Sequence, residues 1–168
     1  RQRQMCIRDR LTAIEIGNAL SIQYGHKIIN LMPTNLYGPN DNFHPTNSHV
    51  IPGLISKFHN GKINKQETVQ IWGDGSPLRE FLYVDDLSSA ISFIIENDIN
   101  NSLMNVGSSE EVSILGLAEM IKDVVGFKGI IAFDETKPNG NDRKLLDSSL
   151  INSFGWRPKI GLNEGLDK

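Results

Sequence analysis

Residues 28–52 read Ile28-Ile29-Asn30-Leu31-Met32-Pro33-Thr34-Asn35-Leu36-Tyr37-Gly38-Pro39-Asn40-Asp41-Asn42-Phe43-His44-Pro45-Thr46-Asn47-Ser48-His49-Val50-Ile51-Pro52. The first five form an apolar run that predicts a buried strand over 28–32. Pro33 has no backbone N–H to give a central ladder, so the strand is expected to stop there. Residues 33–49 are too many for a tight turn and too rich in Asn, Pro, Gly and His for a core element. Long connections of this kind are usually functional or disordered. Leu36, Tyr37, Phe43 and Val50 favour function, because a disordered linker has no use for them. Ligands of open α/β sheets bind outside the carboxyl ends of strands. The loop 33–49 lies in that place and is the candidate site.

On the N-terminal side, Leu11, Ile14, Leu20 and Tyr24 fall at helical spacing, with Gly25 at the expected left-handed C-cap. Residues 1–10 are basic, carry Cys6, and do not resemble the rest. They read as a non-native-looking end, with a basic arm as the other reading, and Cys6 is assigned no chemistry. On the C-terminal side a helix is expected over 50–60, with Ile51, Leu54, Ile55 and Phe58 inward and Gly61 closing it. Val69 to Trp72 has strand character, residues 73–77 turn, and residues 78–84 are extended. Asp85 or Asp86 suits the N-cap of a helix presenting Leu87, Ala90, Ile91, Ile94 and Ile95. A strand over 103–106 leads to a Ser113-capped helix with Ile114, Leu117, Ala118, Ile121 and Val125 inward, closed by Gly126. A strand over 129–133, a polar loop over 134–141, a short helix from Asp147 and an extended end follow. Strands alternating with helices make the chain α/β.

The bulk numbers narrow the function classes. A chain of 168 residues holds one domain with a real core more comfortably than two. A net charge of -3 argues against nucleic acid or an anionic membrane as partner. No run approaches the roughly 20 apolar residues of a membrane span. A single cysteine forms no internal disulfide framework and suits a reducing, cytoplasmic setting. His44 and His49 invite a metal reading, but Pro45 breaks regular spacing and no Cys or carboxylate cluster completes a site, so no metal is expected. There is no Gly-x-Gly-x-x-Gly, Gly-x-x-Gly-x-x-Gly or P-loop. The sequence reads as an internal piece of something larger.

Three stretches together carry a resemblance: Leu36-Tyr37-Gly38-Pro39 after a strand, Arg79-Glu80-Phe81-Leu82-Tyr83-Val84-Asp85-Asp86, and Asn105-Val106-Gly107-Ser108-Ser109 before a Ser113-capped helix. From about Leu11 onward the chain resembles the extended short-chain dehydrogenase/reductase family that works on nucleotide-sugars. The run 32–52, with Lys137-Pro138-Asn139-Gly140 and Arg143 to Asp147, is most similar to members acting on a GDP-4-keto-6-deoxy sugar. Those members epimerise C3 and C5 and then reduce C4 with NADPH. The resemblance implies that residues 11–49 end a Rossmann-like NADP-binding domain. Residues 50–168 would be mainly a smaller α/β substrate domain, with chain returning to the Rossmann sheet.

The resemblance also implies roles. His49 is the catalytic acid that protonates carbon during epimerisation. Pro33, Asn35, Leu36 and His49 line the nicotinamide end of NADP(H), chiefly through backbone and the Asn amide. Lys57, Trp72, Arg79 and Lys137 are substrate-binding: the Arg79 fork matches phosphate oxygens, and Trp72 stacks near guanine. Asn42 and Asn47 are weaker candidates for substrate contact. Bland readings stand beside these: a loop histidine bonded to backbone, a core Trp, solvated lysines. The family's Tyr and Lys of its Tyr-x-x-x-Lys would fall at Cys6 and Arg10, and neither matches. A homodimer is the implied assembly. The rivals are another NAD(P)-dependent nucleotide-sugar epimerase or dehydratase, which keeps Arg79 but needs no acid at His49, and a non-catalytic nucleotide-binding module.

Overall fold

A computed structural model describes residues 2–44 and 47–168, with side chains from residue 8 onward. Cys6's side chain and Pro45, both weighed above, lie outside that description. The elements run α1 (Gln2–Tyr24), β1 (Asn30–Pro33), β2 (Asn35–Tyr37), α2 (Val50–Ile63), β3 (Thr68–Trp72), β4 (Leu78–Tyr83), α3 (Val84–Glu96) and β5 (Leu103–Val106). There follow β6 (Glu111–Ser113), α4 (Ile114–Val125), β7 (Ile130–Asp134), β8 (Arg143–Lys144), α5 (Ser149–Ser153) and α6 (Leu162–Asp167). The α/β class expected from the alternation is the class observed.

Three small sheets divide the strands. β1 pairs parallel with β5, from Asn30 opposite Leu103 to Pro33 opposite Val106. β4 is the centre of the second sheet, parallel to β2 and β8 and antiparallel to β6. β3 and β7 pair parallel in the third. One core joins α2, α4 and β4 through Leu54, Phe58, Phe81, Leu117 and Ile121. A second lies under α3, with Leu82, Ala90, Ile94, Met104, Ile151 and Trp156.

Several expectations need correction. Helix α1 starts well before Leu11, so the odd basic end is helical in backbone. Its apolar stripe is largely uncovered: Leu11, Ile16, Ile22 and Tyr24 are all exposed. Its buried residue is Gly17, whose missing side chain lets the helix approach Ile28 and Asn30. Strand β1 includes Pro33, and the chain does not enter a loop there. It steps into β2, because Tyr37 buries its ring edge-on against Phe81 and Tyr83.

Helix α2 runs through Gly61 to a C-cap at Asn64. Gly61 serves close packing instead of termination, since a Cβ there would meet Val69 Cγ2 at 2.7 Å and the Phe127 ring at 3.1 Å. Neither Asp85 nor Asp86 caps α3. The N-cap is Tyr83, and the buried Asp86 carboxylate accepts the N–H groups of Lys159 at 3.0 Å and Ile160 at 2.9 Å. Ile91 and Ile95 of α3 are exposed. Sequence reading also misses the short strands β6 and β8. The helix expected from Asp147 begins at Ser149, with the Asp147 carboxylate accepting the Ser149 N–H.

Candidate functional site

The end of β1, all of β2 and the start of α2 wall a cavity of about 860 Å³. Pro33, Asn35, Leu36 and His49 all line it, so the sequence-predicted cofactor set converges. Their convergence follows from the step between sheets: β1 ends on β5, and the chain crosses to pair β2 with β4. His49 is exposed and stands at the N-cap of α2, in extended conformation with φ -71 and ψ 173. Its carbonyl accepts the Gly53 N–H at 3.0 Å, so the first helical turn fixes where the imidazole leaves the backbone. From α1, Arg10 and Ile14 complete one wall.

Asn35 contributes differently from expectation. Its side-chain amide donates to the Glu80 carbonyl at 2.8 Å, and the Thr34 hydroxyl donates to the same oxygen at 3.2 Å. The amide therefore ties β2 to β4, which leaves the backbone of 33–36 to shape the cavity wall. Asn42 and Asn47 bond within the loop, Asn42 Nδ2 donating to the Asn47 carbonyl at 3.3 Å. The His44 N–H donates to Asn42 Oδ1 at 3.0 Å. Among the described residues, no three His, Cys, Asp or Glu side chains converge as metal ligands.

A second cluster forms around Trp72 and includes Lys57 of α2. Trp72, at the end of β3, is 66% exposed. The Lys57 ammonium lies 5.7 Å from its ring centroid and the Lys137 ammonium 6.0 Å. Lys57 also donates to the Gln70 carbonyl at 3.0 Å, and burial pulls its pKa down. Thus three of the four expected substrate residues meet around one indole. An exposed Trp with two cations is a surface suited to a flat aromatic base carrying negative charge.

Arg79 lies against Gly140 of the 134–141 loop. One guanidinium nitrogen donates to its neighbour's carbonyl, Leu78 O, at 2.7 Å, while Nη2 lies 3.6 Å from where a Gly140 side chain would begin. It is half-buried.

Sequence reading passes over Glu80, which holds the two halves of the site in register. Its fully buried carboxylate accepts the Ser109 N–H at 2.8 Å and the Leu146 N–H at 3.0 Å. A side chain at Gly107 would collide with that carboxylate, which gives the Asn105-Val106-Gly107 stretch a packing reason for its glycine. A Glu in mid-strand between Arg79 and Phe81 is the sequence signal that could have marked it.

Comparison with known proteins now bears on this geometry. Residues 1–107 match the NAD dependent epimerase/dehydratase family. The chain belongs to that family. Its sequence is 52% identical over 159 residues to GDP-L-fucose synthase 1 of Arabidopsis thaliana, covering 95% of this chain and 49% of that protein. It is 42% identical to GDP-L-fucose synthase of Escherichia coli (strain K12), covering 94% and 52%. Among solved structures, a GDP-L-fucose synthetase from Naegleria fowleri bound to NADP superposes with a TM-score of 0.82 at 26% identity, covering 92% of this chain and 50% of that one. A GDP-6-OMe-4-keto-L-xylo-heptose reductase from C. jejuni gives 0.83 at 30%, covering 94% and 56%. The chain spans about half the length of the curated relatives it matches. No helix among the described residues is long and apolar enough to cross a membrane.

Proposed function

We propose that this chain is the substrate-binding part, with the adjoining edge of the cofactor domain, of an NADP-dependent enzyme that makes GDP-L-fucose from GDP-4-keto-6-deoxy-D-mannose. Residues 11–49 belong to the cofactor side and 50–168 mainly to the substrate side. The working enzyme is a cytoplasmic homodimer. One observation carries the reading: His49 shares a cavity with Pro33, Asn35 and Leu36, while Lys57, on the helix that His49 opens, gathers with Lys137 over Trp72. The two clusters suit the two ends of a nucleotide-sugar. The names of the relatives agree with this.

The chemistry follows from a ketone. The C4 carbonyl acidifies the C–H bonds at C3 and C5, so a general base can take a proton from either carbon and leave an enolate that is reprotonated from the opposite face. His49, poised at a helix start and reachable by solvent, supplies that proton and regains one from water. Lys57, Lys137 and Arg79 hold the diphosphate, and the Trp72 ring packs on the base. The hydride that reduces C4 would come from NADPH when it is bound. Of the residues present, the extended backbone at Pro33–Leu36 fits the nicotinamide end, and the Asn35 amide keeps that backbone on β4.

The test uses a version of the protein extended to the length of its relatives, with the 4-keto sugar and NADPH in deuterated water. Deuterium should enter both C3 and C5. His49→Gln should slow that exchange by about a hundredfold or more, since general acid–base catalysis supplies at least that much, and leave GDP affinity unchanged. A 4-epimerase would show no exchange at these carbons, and undiminished exchange in the variant would remove His49 from the mechanism.

A further inference from the structure

We infer that Asn139 is a positioning residue: its side-chain oxygen latches the 134–141 loop onto the 73–77 turn and thereby holds the Lys137 ammonium against the exposed Trp72 ring. The inference deepens the nucleotide-sugar reading above and rests on it for its functional consequence, but the latch itself is a matter of geometry.

The latch has two interlocking parts. Asn139 Oδ1 accepts the Asp74 N–H at 2.8 Å. The same oxygen also fills the space where a Gly73 side chain would be, so a Cβ at Gly73 would collide with it. Gly73 sits at φ +83, a left-handed conformation that opens this face of the turn to Asn139. The turn is itself rigid. Asp74 Oδ1 accepts the Ser76 N–H at 2.8 Å and the Ser76 hydroxyl at 2.7 Å. Those bonds, with the Asn139 side chain, hold the Asp74 carboxyl below the usual carboxylate range.

Among the described residues, the loop's other hydrogen bonds lie nearer its ends, including the Gly73 N–H donating to the Asp134 carbonyl at 3.0 Å. At its start the Lys137 N–H donates to the Asp134 carbonyl at 3.1 Å, and the Thr136 N–H donates to the Asp134 carboxylate at 3.2 Å. Beyond its end, the Leu78 N–H donates to the Asp142 carbonyl at 2.8 Å. Among the described residues, Asn139 supplies the side-chain hydrogen bond that joins the middle of the loop to the turn carrying on from Trp72. Lys137 lies two residues before it, and its ammonium is 6.0 Å from the indole centroid. The latch adds a tie on the far side of the Asp134–Lys137 turn, without which the long Lys137 side chain has more freedom to leave the ring.

The latch uses the amide oxygen as acceptor and sets the amide beside the Asp74 carboxylate, so neither an apolar isostere nor a carboxylate can replace it. Quenching of tryptophan emission in the ligand-free full chain reads the arrangement. Trp72 is exposed and Trp156 is 5% exposed, so a soluble quencher reports Trp72. The ratio of iodide to acrylamide quenching reports the positive charge beside it, because acrylamide corrects for access. Lys137→Gln should lower that ratio. Asn139→Ala and Asn139→Leu should lower it to the same level. Gly73→Ala, which pushes a methyl into the latch, should behave like Asn139→Ala.

In the functional arm, titration with GDP should show affinity reduced about fivefold in Asn139→Ala, the size expected for one hydrogen bond. Far-ultraviolet circular dichroism that matches wild type shows each variant is folded. An unchanged ratio in Asn139→Ala, or in Lys137→Gln, overturns the latch. A direct role for Asn139 in ligand contact would lower GDP affinity with no change in the ratio, which also overturns it. Failure of wild type to bind GDP while the quenching pattern holds would sink the nucleotide reading and leave the latch standing.

Discussion

Helices α1 and α4 look alike on paper and end differently in space. Both carry apolar residues at helical spacing and both close on a glycine in the left-handed region, Gly25 at φ 72 and Gly126 at φ 72. In α4 the Ser113 hydroxyl accepts the Gly116 N–H at 3.0 Å, and Leu117, Ala118 and Ile121 vanish into the core. In α1, Ile22 is 87% exposed and Tyr24 62% exposed. An apolar stripe records that a helix is built to be covered; it does not say that the cover is at hand. Here α2 and β4 cover α4, whereas in α1 Gly17 is buried close to Ile28 and Asn30.

Substitutions can break that contrast or sharpen it. Phe58→Ala, which empties the space between α2 and α4, should cost about 3–5 kcal/mol in urea unfolding, as for other large core truncations. A cost under about 1 kcal/mol would mean the α2–α4 core is not what holds the chain. Asp86→Ala should cost about 3 kcal/mol, because it strands the buried N–H groups of Lys159 and Ile160. Asp86→Asn, which keeps one acceptor, should recover part of that loss.

A pH scan probes the same core through Tyr37. Burial, with the negative charge of Tyr83, Asp86 and Glu164 as lesser causes, pushes its phenol well above the ordinary 10.0. The folded state thus keeps a proton that the unfolded chain releases. The stabilisation is whole below pH 10 and is lost as pH rises beyond it, at up to about 1.4 kcal/mol per pH unit. Tyr37→Phe should flatten that alkaline loss; an identical alkaline slope in the variant would assign the loss to other groups.

Smaller effects come from the helices themselves. Ser113→Ala removes the α4 cap and should cost about 1 kcal/mol. Ile22→Ser on the bare side of α1 should change unfolding by less than about 0.5 kcal/mol. A cost of several kcal/mol there would show that something covers α1 in solution, and the contrast between the two helices would dissolve.

Much of the site was legible before the fold. Pro33 at a strand end, His49 at the start of a helix and the Arg79-to-Asp86 run are written locally, and the cavity assembles from them. Trp72 was readable as strand but not as exposed, because a residue's partners across a sheet are set by β7 and by the 134–141 loop, far along the chain. Asp86 shows the same limit. An aspartate in a first helical turn reads as a cap, yet its oxygens are claimed by backbone at 159–160. Glu80 in mid-strand hinted at a buried partner, but both of its donors arrive from distant segments that no local pattern names.

The sequence by itself determined the periodicities, the proline and glycine punctuation, the Ser113 cap and the α/β alternation, because each depends on residues within one turn or one strand. Tertiary structure alone decided which apolar faces are covered, where the buried carboxylates find their donors, and that Lys57 and Lys137 meet over one indole. Those outcomes depend on contacts between residues tens of positions apart, and no local pattern encodes which distant backbone N–H or ring will be within reach.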